Sequence, residues 1–193
     1  MPHAFRRFLL MVLLAATTVP ALSQQTDVAG LSSGRRFVRR TTDLACLLPA
    51  ATGVALGIAY KDKAGLLQLG VSTASTLALN YGLELSIRKR RPDGTGHHAF
   101  PSTHAALAFD GATYLQKHYG WTWGVPAYAV ATYVAWGRVY AKRHDAWDVL
   151  AGAAIGTGCA FLLSREYEQV CTVSAAPMLT GDGAKGFMVN VTF

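Results

Sequence analysis

Residues 88–120 read RKRRPDGTGHHAFPSTHAALAFDGATYLQKHYG, and the punctuation inside this stretch decides the architecture. Pro92, Asp93, Gly94 and Gly96 break any helix that reaches them, because proline lacks the N–H and glycine loses the most backbone entropy, so the basic run Arg88 to Arg91 ends in a loop. A new helix opens at Pro101-Ser102, with Ser102 placed as its N-cap, and runs to about His118. Upstream, Ala64 to Ile87 is a 24-residue helical segment that runs into the basic cluster, and before it Leu44 to Tyr60 is apolar and stops at Lys61-Asp62-Lys63. Downstream, Gly120 to Gly124 makes a turn, Val125 to Val139 forms a fourth segment, and a fifth starts near Lys142 and continues through Asp148 to Leu163. The expectation is an all-α fold, a bundle of five to six helices within a domain at residues 43–165.

The two ends of the chain read differently. Arg6 and Arg7 precede the apolar run Phe8 to Val19, and Ala21-Leu22-Ser23 supplies small residues two apart. Residues 1–23 therefore read as a signal peptide, or as an uncleaved N-terminal anchor, and either places the remainder of the chain outside the cytoplasm. Residues 24–42 are polar and basic and read as a linker or surface arm. In the tail, residues 166–193, Phe187, Val189, Val191 and Phe193 alternate with Met188, Asn190 and Thr192. That is strand periodicity, and with the turn-rich Thr180 to Lys185 it predicts a short β-hairpin or a strand docked on the bundle.

Composition narrows the partners. The 193 residues are 51% apolar and only 15% charged, with a net charge of +7. The positive charge gathers at Arg35 to Arg40, Arg88 to Arg91 and Lys142-Arg143, each beside an apolar segment, with no aromatic or zinc-finger signature of nucleic-acid binding. The three cysteines, Cys46, Cys159 and Cys171, show no metal-binding spacing. Gly53, Gly57, Gly152, Gly156 and Gly158 allow the close helix approach typical of membrane bundles, although a soluble bundle is also compatible with segments near 16 residues.

Three clusters at helix ends carry chemistry: Arg90-Arg91-Pro92, Phe100-Pro101-Ser102-Thr103-His104, and Gly137-Arg138 followed by His144 and Asp148. Two arginines can clamp phosphate oxygens, and Ser102 with the free N–H groups at a helix start adds donors for an anion. His144 and Asp148 are four residues apart, so on one helix they share a face; the carboxylate can then hold one imidazole N–H and leave the other nitrogen to attack phosphorus. His104 can protonate the leaving oxygen. Taken singly, each histidine is most often structural, and Asp110 and Asp43 read as structural. His97 and His98 read as solvated loop residues.

Spacing and residue types resemble the type 2 phosphatidic acid phosphatases, which share a site with bacterial class A acid phosphatases and vanadium haloperoxidases. Their pattern is K-x6-R-P, then P-S-G-H, then S-R-x5-H-x3-D, and it falls here on residues 84 to 148. The resemblance implies a nucleophile at His144, its orienter at Asp148 and a general acid at His104, with phosphate held by Arg91, Ser102, Thr103 and Arg138. It implies no cofactor and no metal. Three positions depart from the pattern: Glu84 stands for the lysine, Thr103 for the glycine and Gly137 for the serine. Arg88 or Lys89, about one helical turn on from Glu84, can fill the gap or pair with it.

The function implied is hydrolysis of a lipid phosphomonoester or pyrophosphate through a phosphohistidine, at the outer face of a bacterial inner membrane. Phosphatidic acid, phosphatidylglycerophosphate, undecaprenyl pyrophosphate and lipid A phosphates are the candidate substrates. The partners are a phosphorylated lipid and the membrane, with no nucleic acid. The alternatives are a weakened relative that binds anionic lipid or phosphate, or serves the envelope structurally, and a vanadate-dependent haloperoxidase.

Overall fold

The computed structural model describes residues 33–167, apart from 93, 95 and 97, together with the backbone of residues 172–179 and 185–192. The expectations for residues 1–23 and for the start of the linker lie outside the described residues. Six helices are described: α1 (Ser33–Ala45), α2 (Leu48–Ala59), α3 (Lys63–Ser86), α4 (Thr103–Tyr119), α5 (Trp121–Tyr140) and α6 (Ala146–Leu163). Two strands come after them, β1 (Thr172–Leu179) and β2 (Lys185–Thr192), paired antiparallel from Thr172 opposite Thr192 to Leu179 opposite Lys185. Whether this hairpin docks on the bundle turns on side chains outside the described residues.

The helix boundaries differ from the sequence reading in four places. Residues 33–42, read as linker, belong to α1, which buries Arg39, Thr42 and Asp43 against the bundle. The helix does not continue straight into α2, because Pro49 sits at its start and supplies no N–H to a preceding turn. Near Lys142 no helix begins. The Asp145 carboxylate accepts from the N–H groups of Trp147 and Asp148, and the Asp148 side chain accepts from the Asp145 N–H, a capping box that starts α6 at Ala146. His144 is therefore a loop residue. Between α4 and α5, Gly120 has φ +89°, a conformation that costs other residues energy, and α5 starts directly after it.

α4 is the central helix and packs against all five others. Ala105, Ala106, Ala108, Gly111 and Ala112 are among its buried residues, so neighbours come close to its backbone. Against α6 the approach is closest: a Cβ on Gly152 would overlap the Ser102 carbonyl, and one on Gly156 would overlap the Ala106 carbonyl. Gly158, on the same helix, faces open space. Gly156→Ala is expected to destabilise the protein by about 1–3 kcal/mol through forced separation of α4 and α6. Gly158→Ala should leave stability equal or slightly higher, since alanine is the better helix former. Thermal unfolding of the two variants in detergent checks this pair.

Beside its apolar core the bundle buries many polar groups, and large apolar side chains cover much of its outside. Thr42, Asp43, Ser72, Thr76, Asn80, Asp110 and Asp148 are buried, while Trp121, Trp136, Trp147, Leu150, Phe161 and Leu162 face outward. Buried Asp110 is satisfied by hydroxyls of α3: Ser72, Thr73 (2.8 Å) and Thr76 (3.1 Å) donate to it, so its carboxylate ties α4 to α3. Two stretches, Ser33–Ala59 and Ala146–Leu163, are long and apolar enough to cross a membrane. An outward apolar surface over a hydrogen-bonded polar interior is the arrangement that suits lipid.

Candidate active site

Five parts of the chain meet at one end of the bundle: the end of α1, the loop from α3 to α4, the start of α4, the end of α5, and the turn into α6. Their meeting point is held by backbone. The Ser102 N–H donates to the Asp148 carbonyl at 2.9 Å, joining the start of α4 to the first turn of α6. Asn80, on α3, donates to Thr103 Oγ1 at 2.8 Å and to the Pro101 carbonyl at 3.4 Å, which fixes the turn before α4. The first N–H groups of α4 have no acceptor within the helix and carry its positive dipole end, so this turn presents donors to an anion.

Of the residues expected from the sequence, Ser102, His104, Arg138, His144 and Asp148 are all buried here, and Thr103 is half-buried. The Ser102 hydroxyl and the Arg138 Nε are buried donors without a protein hydrogen-bond partner. Such groups are costly unless an acceptor reaches them, and a phosphate oxygen has the right chemistry. Arg91 is half-buried in the α3–α4 loop, where its Nε donates to the His98 carbonyl at 3.2 Å. Arg143, fully buried beside them, was read only as part of a basic cluster.

His144 is held differently from the expectation. Its Nδ1 lies 2.7 Å from the Ala99 carbonyl, and Asp148 Oδ2 is 3.9 Å away. A carbonyl only accepts, so Nδ1 carries the proton and Nε2 keeps its lone pair. Asp148 is engaged elsewhere: it caps α6 and accepts from Lys89 Nζ at 2.7 Å. The cause is the displaced start of α6, which leaves His144 outside the helix and cancels the shared face that a four-residue spacing provides. Burial, and then the Arg138 charge, hold the His144 imidazole well below its usual value, which favours the neutral form.

The departures from the motif have visible consequences. Lys89 neither fills the gap of the motif lysine nor pairs with Glu84. It bridges Asp145 (2.5 Å) and Asp148 (2.7 Å); burial works against its charge, but these two carboxylates outweigh that and raise it. Glu84 is half-buried and turns toward the α3–α4 loop, with Oε1 4.0 Å from His98 Nδ1. Gly137, where the motif has serine, gives room to α1: a Cβ there would overlap Thr42 Cγ2. That contact brings Asp43 into the site. Its Oδ1 lies 2.5 Å from Arg138 Nη1 and 3.1 Å from His104 Nε2. Sequence reasoning left Asp43 structural; an acidic residue between a basic arm and an apolar helix was the available signal, but nothing local paired it with Arg138, 95 positions away. The Ala99 carbonyl left no signal at all, since every residue has one.

Comparison with known proteins bears on the family and the fold. Residues 65–170 match the family model described as the PAP2 superfamily. The lipid A 4'-phosphatase of Helicobacter pylori is 28% identical over 149 residues, which is 72% of this chain and 75% of that protein. The lipid A 1-phosphatase of Porphyromonas gingivalis is 40% identical over 94 residues, 45% of this chain, and the chain spans only 21% of that relative. Among solved structures, the fold is similar to that of LpxE from Aquifex aeolicus (TM-score 0.57, 21% identity, covering 69% of this chain and 87% of that one). It is also similar to a transmembrane PAP2 type phosphatidylglycerolphosphate phosphatase from Bacillus subtilis (TM-score 0.56, 23% identity, covering 82% and 93%).

Proposed function

The chain belongs to the PAP2 superfamily, and from that premise we propose that it is a phosphatase acting on a phosphomonoester or pyrophosphate carried by a lipid, through a phosphohistidine on His144. One observation carries the reading: His144 presents a neutral imidazole whose Nδ1 proton is committed to the Ala99 carbonyl, beside Arg138 and the head of α4. Arg91, Arg138, Ser102 and the Thr103 N–H hold the phosphoryl oxygens. Nε2 of His144 attacks phosphorus, the bond to the leaving oxygen breaks, and His104 gives that oxygen a proton. Water then attacks the phosphoryl group and gives a proton to the now neutral His104; the P–N bond breaks, returning His144 and releasing phosphate. No metal enters these steps, because arginine and helix N–H groups supply the charge stabilisation.

The outward apolar surface and the lipid A phosphatases among its relatives support a lipid as the carrier and a membrane as the place of action. The N-terminal sequence supports a site facing the periplasm from the inner membrane. The test is phosphate release by purified protein from lipid A, phosphatidic acid, phosphatidylglycerophosphate and undecaprenyl pyrophosphate, with and without EDTA. Release that persists in EDTA is expected; a folded protein silent on all four substrates would overturn the reading. In the same assay, Glu84→Lys should lower turnover by about 2- to 5-fold or more, because Glu84 steadies the loop bearing Arg91 and His98, and a cation there repels it. A gain in that variant would show instead that Glu84 limits the rate.

A further inference from the structure

Asp43 stands outside residues 65–170, on a helix that nothing in the family match includes, yet it touches two members of the site. One of its oxygens serves both: Oδ1 meets Arg138 Nη1 at 2.5 Å and His104 Nε2 at 3.1 Å. The two contacts differ in kind. Arg138 donates a hydrogen bond to Asp43, whereas His104 Nε2 has no aligned partner in this structure. Asp43 is thus near enough to stabilise a positive charge on the imidazole and too poorly aligned to hold its proton.

The charges around His104 make this contact consequential. Arg138 faces it from α5, and Arg143 and His144 from the turn after that helix; Asp43 faces it from α1. Burial first, and then the Arg138 and Arg143 guanidinium groups, oppose protonation of this imidazole, and a general acid has to be protonated when the leaving oxygen departs. Asp43 supplies the opposing carboxylate. Resting on the phosphatase reading above, we infer that Asp43 is the positioning residue for the general acid, stabilising the His104 imidazolium while leaving its Nε2 proton available to the leaving oxygen. The proton passes from Nε2 to the leaving oxygen as the P–O bond breaks, and Asp43 remains ionised throughout. Gly137 helps to admit it, since a Cβ there would overlap Thr42 Cγ2 on α1 beside Asp43.

The experiment compares two substrates that differ in their need for an acid. An alkyl phosphate, such as phosphatidic acid, leaves as an alkoxide and requires protonation, whereas p-nitrophenyl phosphate leaves as a stable phenolate. Asp43→Asn should lower kcat by about 10²-fold or more on phosphatidic acid and by less than about 10-fold on p-nitrophenyl phosphate. Asp43→Glu, which restores the carboxylate, should recover part of the loss. In the same purified protein, NMR titration of the His104 imidazole should move down by about 1–3 units in Asp43→Asn. Equal losses on the two substrates, or an unmoved titration, would overturn the proposal and leave Asp43 as a packing residue. Wild-type protein that releases phosphate from neither of these nor from the other lipids of the panel would sink the phosphatase reading itself, and the titration then decides on Asp43 alone.

Discussion

Replacing His144 with alanine is expected to reduce phosphate release by about 10⁴-fold or more on every substrate. The size follows from the proposed phosphohistidine mechanism, in which no other atom receives the phosphoryl group and the arginines and N–H groups only bind it. Alanine also strands the buried Ala99 carbonyl, at about 1–3 kcal/mol, so lost activity alone could be blamed on the fold. Asparagine separates the two effects. Its side-chain NH2 can reach the same carbonyl that Nδ1 now meets at 2.7 Å, while nothing replaces Nε2. His144→Asn should unfold near the wild-type temperature and still be inactive, and acid-labile phosphate should be trapped on the wild-type protein but not on this variant. Residual activity above a hundredth of wild type in His144→Asn would place the nucleophile elsewhere. The same residue shapes the pH profile. Burial and then Arg138 keep its folded value well below the ordinary one near 6.5, so it remains neutral and reactive as pH falls through 6.5. The sign for stability is the opposite: unfolded His144 takes up a proton near 6.5 and the folded residue does not, so its contribution to stability is lost as pH drops below that value.

Arg138→Met should be the most damaging change to folding among the site residues and should also cost activity. The Arg138 and Asp43 side chains are both buried and meet at 2.5 Å. Removing one partner leaves the Asp43 carboxylate without its compensating charge, a loss of about 3–5 kcal/mol. Phosphate binding loses a transition-state donor at the same time, which lowers turnover by about 10²- to 10³-fold. The double variant Asp43→Asn/Arg138→Met divides these effects. With both charges gone, the burial penalty goes with them and most of the stability should return, while activity stays low because the phosphate clamp is still missing. Denaturant unfolding in detergent, run beside phosphate release, measures both. If the double variant is as unstable as Arg138→Met, the pair is not the tie that holds α1 to α5. Arg138→Lys should rescue little, since a lysine cannot hold Asp43 and a phosphate with separate N–H groups of one planar fork.

The helical architecture, its break at Pro92 to Gly96 and the start of α4 after Ser102 were legible in the sequence, because proline, glycine and capping residues act on their immediate neighbours. The motif spacing also implied that Ser102, His104, Arg138 and His144 meet, and the fold brings them to one end of the bundle. The reach of those local rules ended where a side chain had competing partners. His144 and Asp148 have the spacing of a helical pair, yet the Asp145 capping box starts α6 after His144 and turns Asp148 toward Lys89. Glu84, seen alone, is a lost phosphate ligand; the folded chain turns it toward the loop that carries Arg91 and His98. Asp43, Asn80 and the Ala99 carbonyl lie here only because of tertiary packing; for Asp43 the approach of α1 to α5 depends on the side chain that Gly137 omits. Local conformational energies are written residue by residue and can be read that way. Which buried donor meets which acceptor is settled by packing the whole bundle at once, so the identity of the motif came from the sequence and the wiring of the site from the tertiary structure.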